Sequence, residues 1–161
     1  MPQACNTTAF PTPLANSFIL DSGATDHVCN NRARFHNYTK AGADDYIVAG
    51  ANTVKIEGWG TVTITIECDE TPIGQRTFDL YNIAHIPSFT SNLVLYNRFY
   101  DKHLFWDSEN QCIKYQGTQV GKTKRIYEQW VLEYNAISSD LSVFLARRSD
   151  QPLPLATWTA V

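Results

Sequence analysis

The residue with the clearest capacity for chemistry is Asp21, the first residue of Asp-Ser-Gly-Ala-Thr at positions 21 to 25. It follows the apolar run at residues 18 to 20, which predicts a short buried strand ending at the carboxylate. Removing a carboxylate from water costs free energy unless hydrogen bonds or a function compensate. A carboxylate in this position could activate water by accepting a proton. The alternative is an ordinary β-turn, because Asp, Ser and Gly are common turn residues.

This segment resembles the active-site loop of retropepsin-like aspartic proteases. Extended to His27, the pattern Asp-Ser-Gly-Ala-Thr-x-His is similar to the version carried by Ty1/copia-type retrotransposon polyproteins. The resemblance implies that Asp21 is the catalytic residue. It also implies that the Ser22 hydroxyl hydrogen-bonds across the dimer, that the backbone approaches closely at Gly23 and that Ala24 places a small side chain beside the substrate. The supporting loop residues are Ser22, Gly23, Ala24 and Thr25.

The chain carries half of such a site. Aspartic proteases use two aspartates that share a proton, because one carboxylate cannot both activate water and protonate the leaving amine. Only Asp21 opens an Asp-Ser/Thr-Gly sequence, since the Asp-Ser pair at Asp107 lacks the glycine. A chain of 161 residues has the length of one domain, whereas a two-lobed protease needs about two. If Asp21 is catalytic, we expect a homodimer with its two-fold axis between the paired aspartates.

Residues 48 to 54 resemble the flap of the same family, a hairpin that closes over a bound peptide. The predicted tip consists of Gly50, Ala51 and Asn52, which would bind substrate. The alternative is a plain hairpin, because Gly and Asn are frequent in tight turns.

Residues 83 to 94 resemble the copia-type segment that runs through a strand and a proline into the core helix. Leu95 stands where that pattern has a small residue, and a bulky side chain there could crowd the catalytic loop. His27 fits the copia pattern, but its predicted role is that of a structural hydrogen-bond partner, because the chemistry of aspartic proteases needs no histidine.

The sequence predicts a mostly β fold, a closed antiparallel retropepsin-like barrel with one short core helix and a C-terminal extension. Residues 1–15 are a predicted flexible leader, 16–134 the barrel domain and 135–161 a C-terminal helix or tail. Strands are expected at 46–49, 53–58, 61–67, 76–83 and 126–132, with an interruption at 58–60. Helical periodicity predicts the core helix within residues 92 to 102.

The amino-acid composition limits which partners, metals and locations are expected. Thirteen basic and sixteen acidic residues give a net charge of -3, so a nucleic-acid partner is not expected, and the short cluster at residues 122 to 125 is the only basic candidate. Four scattered cysteines match no zinc spacing, and neither a metal nor a cofactor is expected. No apolar run is long enough to cross a membrane, which favours the cytoplasm, and the resemblance to retrotransposon polyproteins implies the particle of such an element as a further location.

Two functions remain open. The first is an aspartic endopeptidase of a copia-type retrotransposon that cleaves the Gag-Pol polyprotein, with water activated by an Asp dyad across a homodimer. The second is a catalytically inactive, retrotransposon-derived β-barrel that acts as a binding or structural module.

Overall fold

A computed structural model describes residues 13–137, which form thirteen strands and two short helices. The strands are, in chain order, β1 (Phe18–Asp21), β2 (Val28–Cys29), β3 (Phe35–Lys40), β4 (Tyr46–Ala49), β5 (Asn52–Lys55), β6 (Gly58–Glu67), β7 (Gln75–His85), β8 (Asn92–Leu95), β9 (Leu104–Asp107), β10 (Cys112–Tyr115), β11 (Thr118–Lys122), β12 (Lys124–Ile126) and β13 (Gln129–Glu133). A 3-10 helix spans Arg32–Arg34, and α1 spans Tyr96–Asp101. The mostly β fold with one short α-helix agrees with the prediction from the sequence.

The strands form three sheets. The largest has eight strands in the order β12-β13-β1-β8-β2-β7-β6-β3. Strands β9, β10 and β11 form an antiparallel sheet of three, and β4 pairs with β5 as a separate hairpin. Strand β8 therefore lies between β1 and β2, which are joined by the loop that begins at Asp21.

The prediction of a closed antiparallel barrel is wrong in two respects. Within the described residues, no hydrogen bonds join the edge strands β3 and β12, so the large sheet stays open. Strand β12 has only three residues, and β3 contains a register shift around Asn37, whose φ is 55°, so neither edge offers a long regular ladder. The pairs β1·β8 and β2·β7 are also parallel, so the sheet is mixed.

Residues 92 to 102 do not form one helix, which corrects the prediction for that segment. Strand β8 comes first, and α1 begins only at Tyr96. The apolar spacing allows a helix, but β8 is inserted between β1 and β2, where its backbone groups pair with both neighbours. This tertiary context overrides the local pattern.

Two further strand predictions need correction. The expected strand at 126–132 is a hairpin, because Tyr127 and Glu128 both adopt positive φ and reverse the chain between β12 and β13. Residues 58–60 belong to β6 and do not end the strand, although the β6·β7 register shifts between Gly60 and Val62. Gly58 is required there because a Cβ atom would lie 2.1 Å from Cζ of Tyr38, so the glycine serves close packing rather than a break.

The alternation predicted for residues 61–67 is confirmed within β6. Val62, Ile64 and Ile66 are fully buried, while the threonines between them are half-buried. These valine and isoleucine side chains belong to the main core, whose other buried members are Phe18, Cys29, Phe35, Leu80, Ile83, Val94, Phe99, Ile113 and Leu132. The core thus connects β1 and β8 to the long hairpin β6–β7.

A partly buried ion pair between Arg34 and Glu133 connects β13 to the rest of the sheet. Both Glu133 carboxylate oxygens accept hydrogen bonds from Arg34, at 2.8 and 3.2 Å. The Thr65 N–H donates to the same carboxylate at 2.6 Å, and the Arg34 guanidinium donates to the Thr63 carbonyl at 2.9 Å. Because Glu133 is buried, these donors replace the water that it has lost.

The domain boundaries stay predictions. Of the expected leader, Leu14 is buried against Ile19, Ile126 and Val131. The helix expected beyond residue 138 lies outside the described residues. In the part of the chain that the structure describes, no helix is long and apolar enough to span a membrane.

Candidate active site

Asp21 is the last residue of β1 and pairs in register with Leu95, the last residue of β8. The four β1·β8 pairs run without a shift from Phe18 opposite Asn92 to this position. Leu95 is 5% exposed, so its side chain packs inside and does not displace the strand. The bulky residue is therefore accommodated without a change of register beside the catalytic candidate.

The Asp21 carboxylate is partly exposed and accepts a local hydrogen bond. The Gly23 N–H donates to Oδ1 at 2.6 Å, which orients the carboxylate within its own loop. Among the described residues, Oδ2 has no hydrogen-bond donor. Ser22, Gly23 and Thr25 are exposed and Ala24 is half-buried, so described residues do not cover the loop tip.

A shallow cleft opens beside the carboxylate. It is lined by Ile19, Leu20, Asp21, Ser22, Ser91, Leu93 and Gln129. Gly50, Ala51 and Asn52 are not among these residues, so the structure does not bring the predicted flap tip to this cleft. The strand β13 contributes Gln129 at the cleft rim, a residue that the sequence did not single out.

An ion pair ties the loop to α1. The Arg98 guanidinium donates to Oδ1 of Asp26 at 2.8 Å, and about a third of each side chain is exposed. Arg98 also donates to the carbonyl oxygens of Tyr81 and Asn82, at 2.9 and 3.2 Å. Neither Asp26 nor Arg98 was predicted from the sequence, because their 72-residue separation gives no local signal.

His27 ends the loop in a buried position. Its Nδ1 accepts a hydrogen bond from the Leu95 N–H at 2.8 Å, and its carbonyl accepts one from the Ala84 N–H at 2.9 Å. Burial, together with the positive charge of Arg98, lowers the pKa of His27 to about 4. The ring is therefore a neutral acceptor at neutral pH, in agreement with the predicted structural role.

The predicted flap is a hairpin formed by β4 and β5. Ala49 pairs with Asn52, so Gly50 and Ala51 make the turn and Asn52 belongs to β5. Gly50 has a φ of 64°, a conformation that glycine adopts without strain. The hairpin's role as a substrate clamp stays a prediction.

One face of the hairpin is anchored and the other is open. Ile47 and Val54 pack in a cluster with Val28, Ile56, Ala84 and Ile86. On the opposite face, Tyr46 is 54% exposed and Val48 is 70% exposed. The hairpin therefore offers an apolar surface to solvent while its base rests against β2 and β7.

The second Asp-Ser pair has a different environment. Asp107 ends β9 and accepts hydrogen bonds from the backbone and side-chain amides of Asn110, at 3.0 and 2.7 Å. Nζ of Lys114 lies 2.9 Å from Oδ2 of Asp107 and forms an ion pair with it. The Asn110 hydrogen bonds and Lys114 hold the pKa of Asp107 well below its usual range. Asp107 holds a turn together.

The remaining predicted groups have structural partners. In the basic cluster, Lys122 pairs with Asp69, Lys124 with Glu67 and Arg125 with Glu128. Three of the four cysteines, Cys29, Cys68 and Cys112, are described, buried and unpaired as disulfides, and burial raises the pKa of Cys29 to about 11. No group of acidic, histidine or cysteine side chains within residues 13–137 could hold a metal ion.

Comparisons with known proteins place the same segment in a family. Residues 18–104 match the family described as "Pol polyprotein, beta-barrel domain". The retrovirus-related Pol polyprotein from transposon RE2 of Arabidopsis thaliana is 34% identical over 83 residues, which are 50% of this chain and 5% of that polyprotein. The corresponding RE1 polyprotein is 30% identical over 146 residues, 84% of this chain and 9% of its own length.

A third relative is shorter. The putative transposon Ty5-1 protein of Saccharomyces cerevisiae is 26% identical over 84 residues, which are 52% of this chain and 50% of that protein. The chain thus spans at most about half the length of these curated relatives. No solved structure matches it. Because the family match covers more than half of the sequence, this chain belongs to the β-barrel domain family of retrotransposon Pol polyproteins.

Proposed function

We propose that this domain is an aspartic endopeptidase that cleaves the Gag-Pol polyprotein of a copia-type retrotransposon. The observation that carries the proposal is the position of Asp21 at the end of a strand paired on its β8 side, with an exposed loop tip beyond it. A loop of this kind can meet a symmetry mate, because no described residue covers Ser22 or Gly23.

The chemistry requires two copies of the chain. One Asp21 carboxylate removes a proton from water as the oxygen attacks the peptide carbonyl, and the partner, initially protonated, protonates the leaving amine. The Gly23 N–H at 2.6 Å orients one oxygen of each carboxylate and leaves the other for this exchange. The hairpin β4–β5, whose tip is not at the cleft in this structure, must move to close over an extended peptide and bind it by strand addition.

The places of action and partners follow from this assignment. The substrate is a polypeptide, the active species is a homodimer, and the reaction takes place in the cytoplasm or within the particle of the element. The relatives from transposons RE1 and RE2 are Pol polyproteins, which supports this polyprotein context.

The test is cleavage of a polyprotein substrate by purified Asp21→Asn and Asp107→Asn variants. Asp21→Asn is expected to lower the cleavage rate at least about a hundredfold, because loss of general acid–base catalysis costs that much. Asp107→Asn is the matched control, since its carboxylate holds only a turn and cleavage should persist. Retained cleavage by Asp21→Asn would exclude the mechanism.

An inactive binding or structural module is the second candidate. It is favoured by the matched family, whose description names the barrel and no reaction. The two candidates differ in assembly, because a module with one Asp21 per particle needs no two-fold partner. A strict monomer in sedimentation at high concentration, combined with no cleavage, would favour the module.

A further inference from the structure

The loop from Asp21 to His27 returns to Leu95, the residue opposite its starting point. Asp21 is opposite Leu95 in the β1·β8 ladder, and the His27 ring accepts the Leu95 N–H at 2.8 Å. Leu95 also precedes α1 and caps it without a side-chain hydrogen bond. Both ends of a seven-residue loop are therefore fixed to one backbone position.

We infer that His27 is the positioning residue of the Asp21 loop, and that it holds the loop only as a neutral hydrogen-bond acceptor. Its Nδ1 lone pair receives the Leu95 N–H, so in the bound tautomer the proton is on Nε2. A protonated imidazole carries hydrogen on both nitrogens and cannot accept this bond. For catalysis, the inference rests on the proposed function, but the hydrogen bond itself does not.

The hydrogen bond between His27 and Leu95 stabilises the loop because its surroundings exclude water. His27 is 3% exposed and Leu95 is 5% exposed, so the loss of Nδ1 would leave a backbone N–H buried without a partner. Such a loss costs more than the net gain from an average hydrogen bond. The loop would then lose its side-chain attachment to β8, while the His27 carbonyl would still accept the Ala84 N–H.

The charged groups around the ring favour the neutral state. Arg98 faces it from α1 and is paired with Asp26 on the same loop. The titratable groups on the adjoining strand segments are Asp21 at the end of β1, Cys29 on β2 and His85 at the end of β7, and His85 is bonded to the Tyr38 hydroxyl. Protonation of His27 therefore works against both burial and Arg98.

The pH dependence has a definite sign. The pKa of His27 is about 4 in the fold and 6.5 in the unfolded chain. Between these values the unfolded chain binds the proton and the folded chain does not, so stability falls as the pH decreases from 6.5 toward 4. Above 6.5 both states are neutral at His27, and the contribution does not change with pH.

Two nearly isosteric variants separate the acceptor from the shape of the ring. The His27→Asn variant would keep an acceptor oxygen at the position of Nδ1 and would not titrate there, whereas His27→Leu has a methyl group in its place. Hydrogen exchange of the Leu95 amide is measured by NMR at pH 7, with Asp21→Asn present in both proteins. This exchange should be about tenfold faster for His27→Leu than for His27→Asn. Equal exchange in the two variants would overturn the inference.

A measurement without any change at residue 27 keeps the inference testable if His27→Leu does not fold. In the ¹⁵N imidazole spectrum of the Asp21→Asn protein, His27 should be the Nε2–H tautomer at pH 7 and should titrate near pH 4. Titration near 6.5, or the Nδ1–H tautomer, would contradict it. The urea midpoint should also fall more between pH 6.5 and 4 in this protein than after the added substitution His27→Asn.

Cleavage then separates the inference from the proposed function. If the unmutated chain cleaves its substrate, His27→Leu should lower kcat about tenfold or more, while His27→Asn restores it. Equal kcat values for the two variants would overturn the positioning role. An unmutated chain that does not cleave would contradict the proposed function, and the imidazole spectrum would still decide whether His27 holds the loop.

Discussion

Asp21 and Asp107 begin the same dipeptide, Asp-Ser, at the end of a strand, yet their surroundings give them different capacities. The Asp107 carboxylate is bonded to Asn110 on both oxygens and lies beside Lys114, so its hydrogen-bonding capacity serves the turn. The Asp21 carboxylate has one donor, the Gly23 N–H, and one oxygen without a described donor. Proton transfer to or from a substrate needs a carboxylate oxygen that is not already hydrogen-bonded within the protein.

The strands that carry the two aspartates also differ in their position within a sheet. Strand β1 has β13 on one side and β8 on the other, within a sheet of eight strands. Strand β9 is the edge of a sheet of three. The carboxylate proposed to be catalytic thus lies on a strand inside a sheet, and the carboxylate that closes a turn lies on an edge strand.

The largest expected effect on stability comes from removing the ion pair that anchors β13, the strand next to β1. Glu133→Ala removes the acceptor shared by Arg34 and the Thr65 N–H and should lower the free energy of unfolding by about 3 kcal/mol, because both donors then lose their partner in a largely buried site. Urea unfolding measures this loss. Glu67→Ala is the control: its ion pair with Lys124 is about half exposed and should contribute less than about 1 kcal/mol. Equal losses would contradict the assigned importance of β13.

A smaller effect is expected at the residue opposite Asp21. Leu95→Ala introduces the small side chain typical of the copia pattern but leaves a cavity, so it should cost about 2–3 kcal/mol of unfolding free energy. Leu104→Ala, at a half-buried position on β9, is the control and should cost about 1 kcal/mol. A Leu95→Ala protein that is more stable and cleaves faster would show that Leu95 crowds the loop.

The sequence carried enough information to place the site on its strand. Apolar residues before Asp21, strict alternation in β6 and a glycine turn after Ala49 are local signals, and each element formed where its pattern predicts it. Those signals work because side-chain periodicity and turn chemistry are properties of neighbouring residues. The loop that carries Asp21 could therefore be found without coordinates.

The missed features depend on distant residues. The residues of β8 have the apolar spacing of a helix, and nothing near them in sequence shows that β1 and β2 lie on the two sides of this strand. Glu133 and Arg34 are 99 residues apart, and Asp26 and Arg98 are 72 apart, so neither ion pair has a local pattern. The hairpin at Tyr127 and Glu128 also lacks the glycine or asparagine that usually marks positive φ.

The measurement that most directly tests the central claim is the cleavage rate of mixed dimers. Unmutated and Asp21→Asn chains are unfolded together in equal amounts, refolded and assayed on the same polyprotein substrate. If two Asp21 carboxylates form one site, random pairing leaves about half of the unmutated chains with an active partner, and the rate per unmutated chain falls to about half. The same mixture with Asp107→Asn chains should show no such loss. A rate per unmutated chain that is unaffected by Asp21→Asn would contradict the shared site.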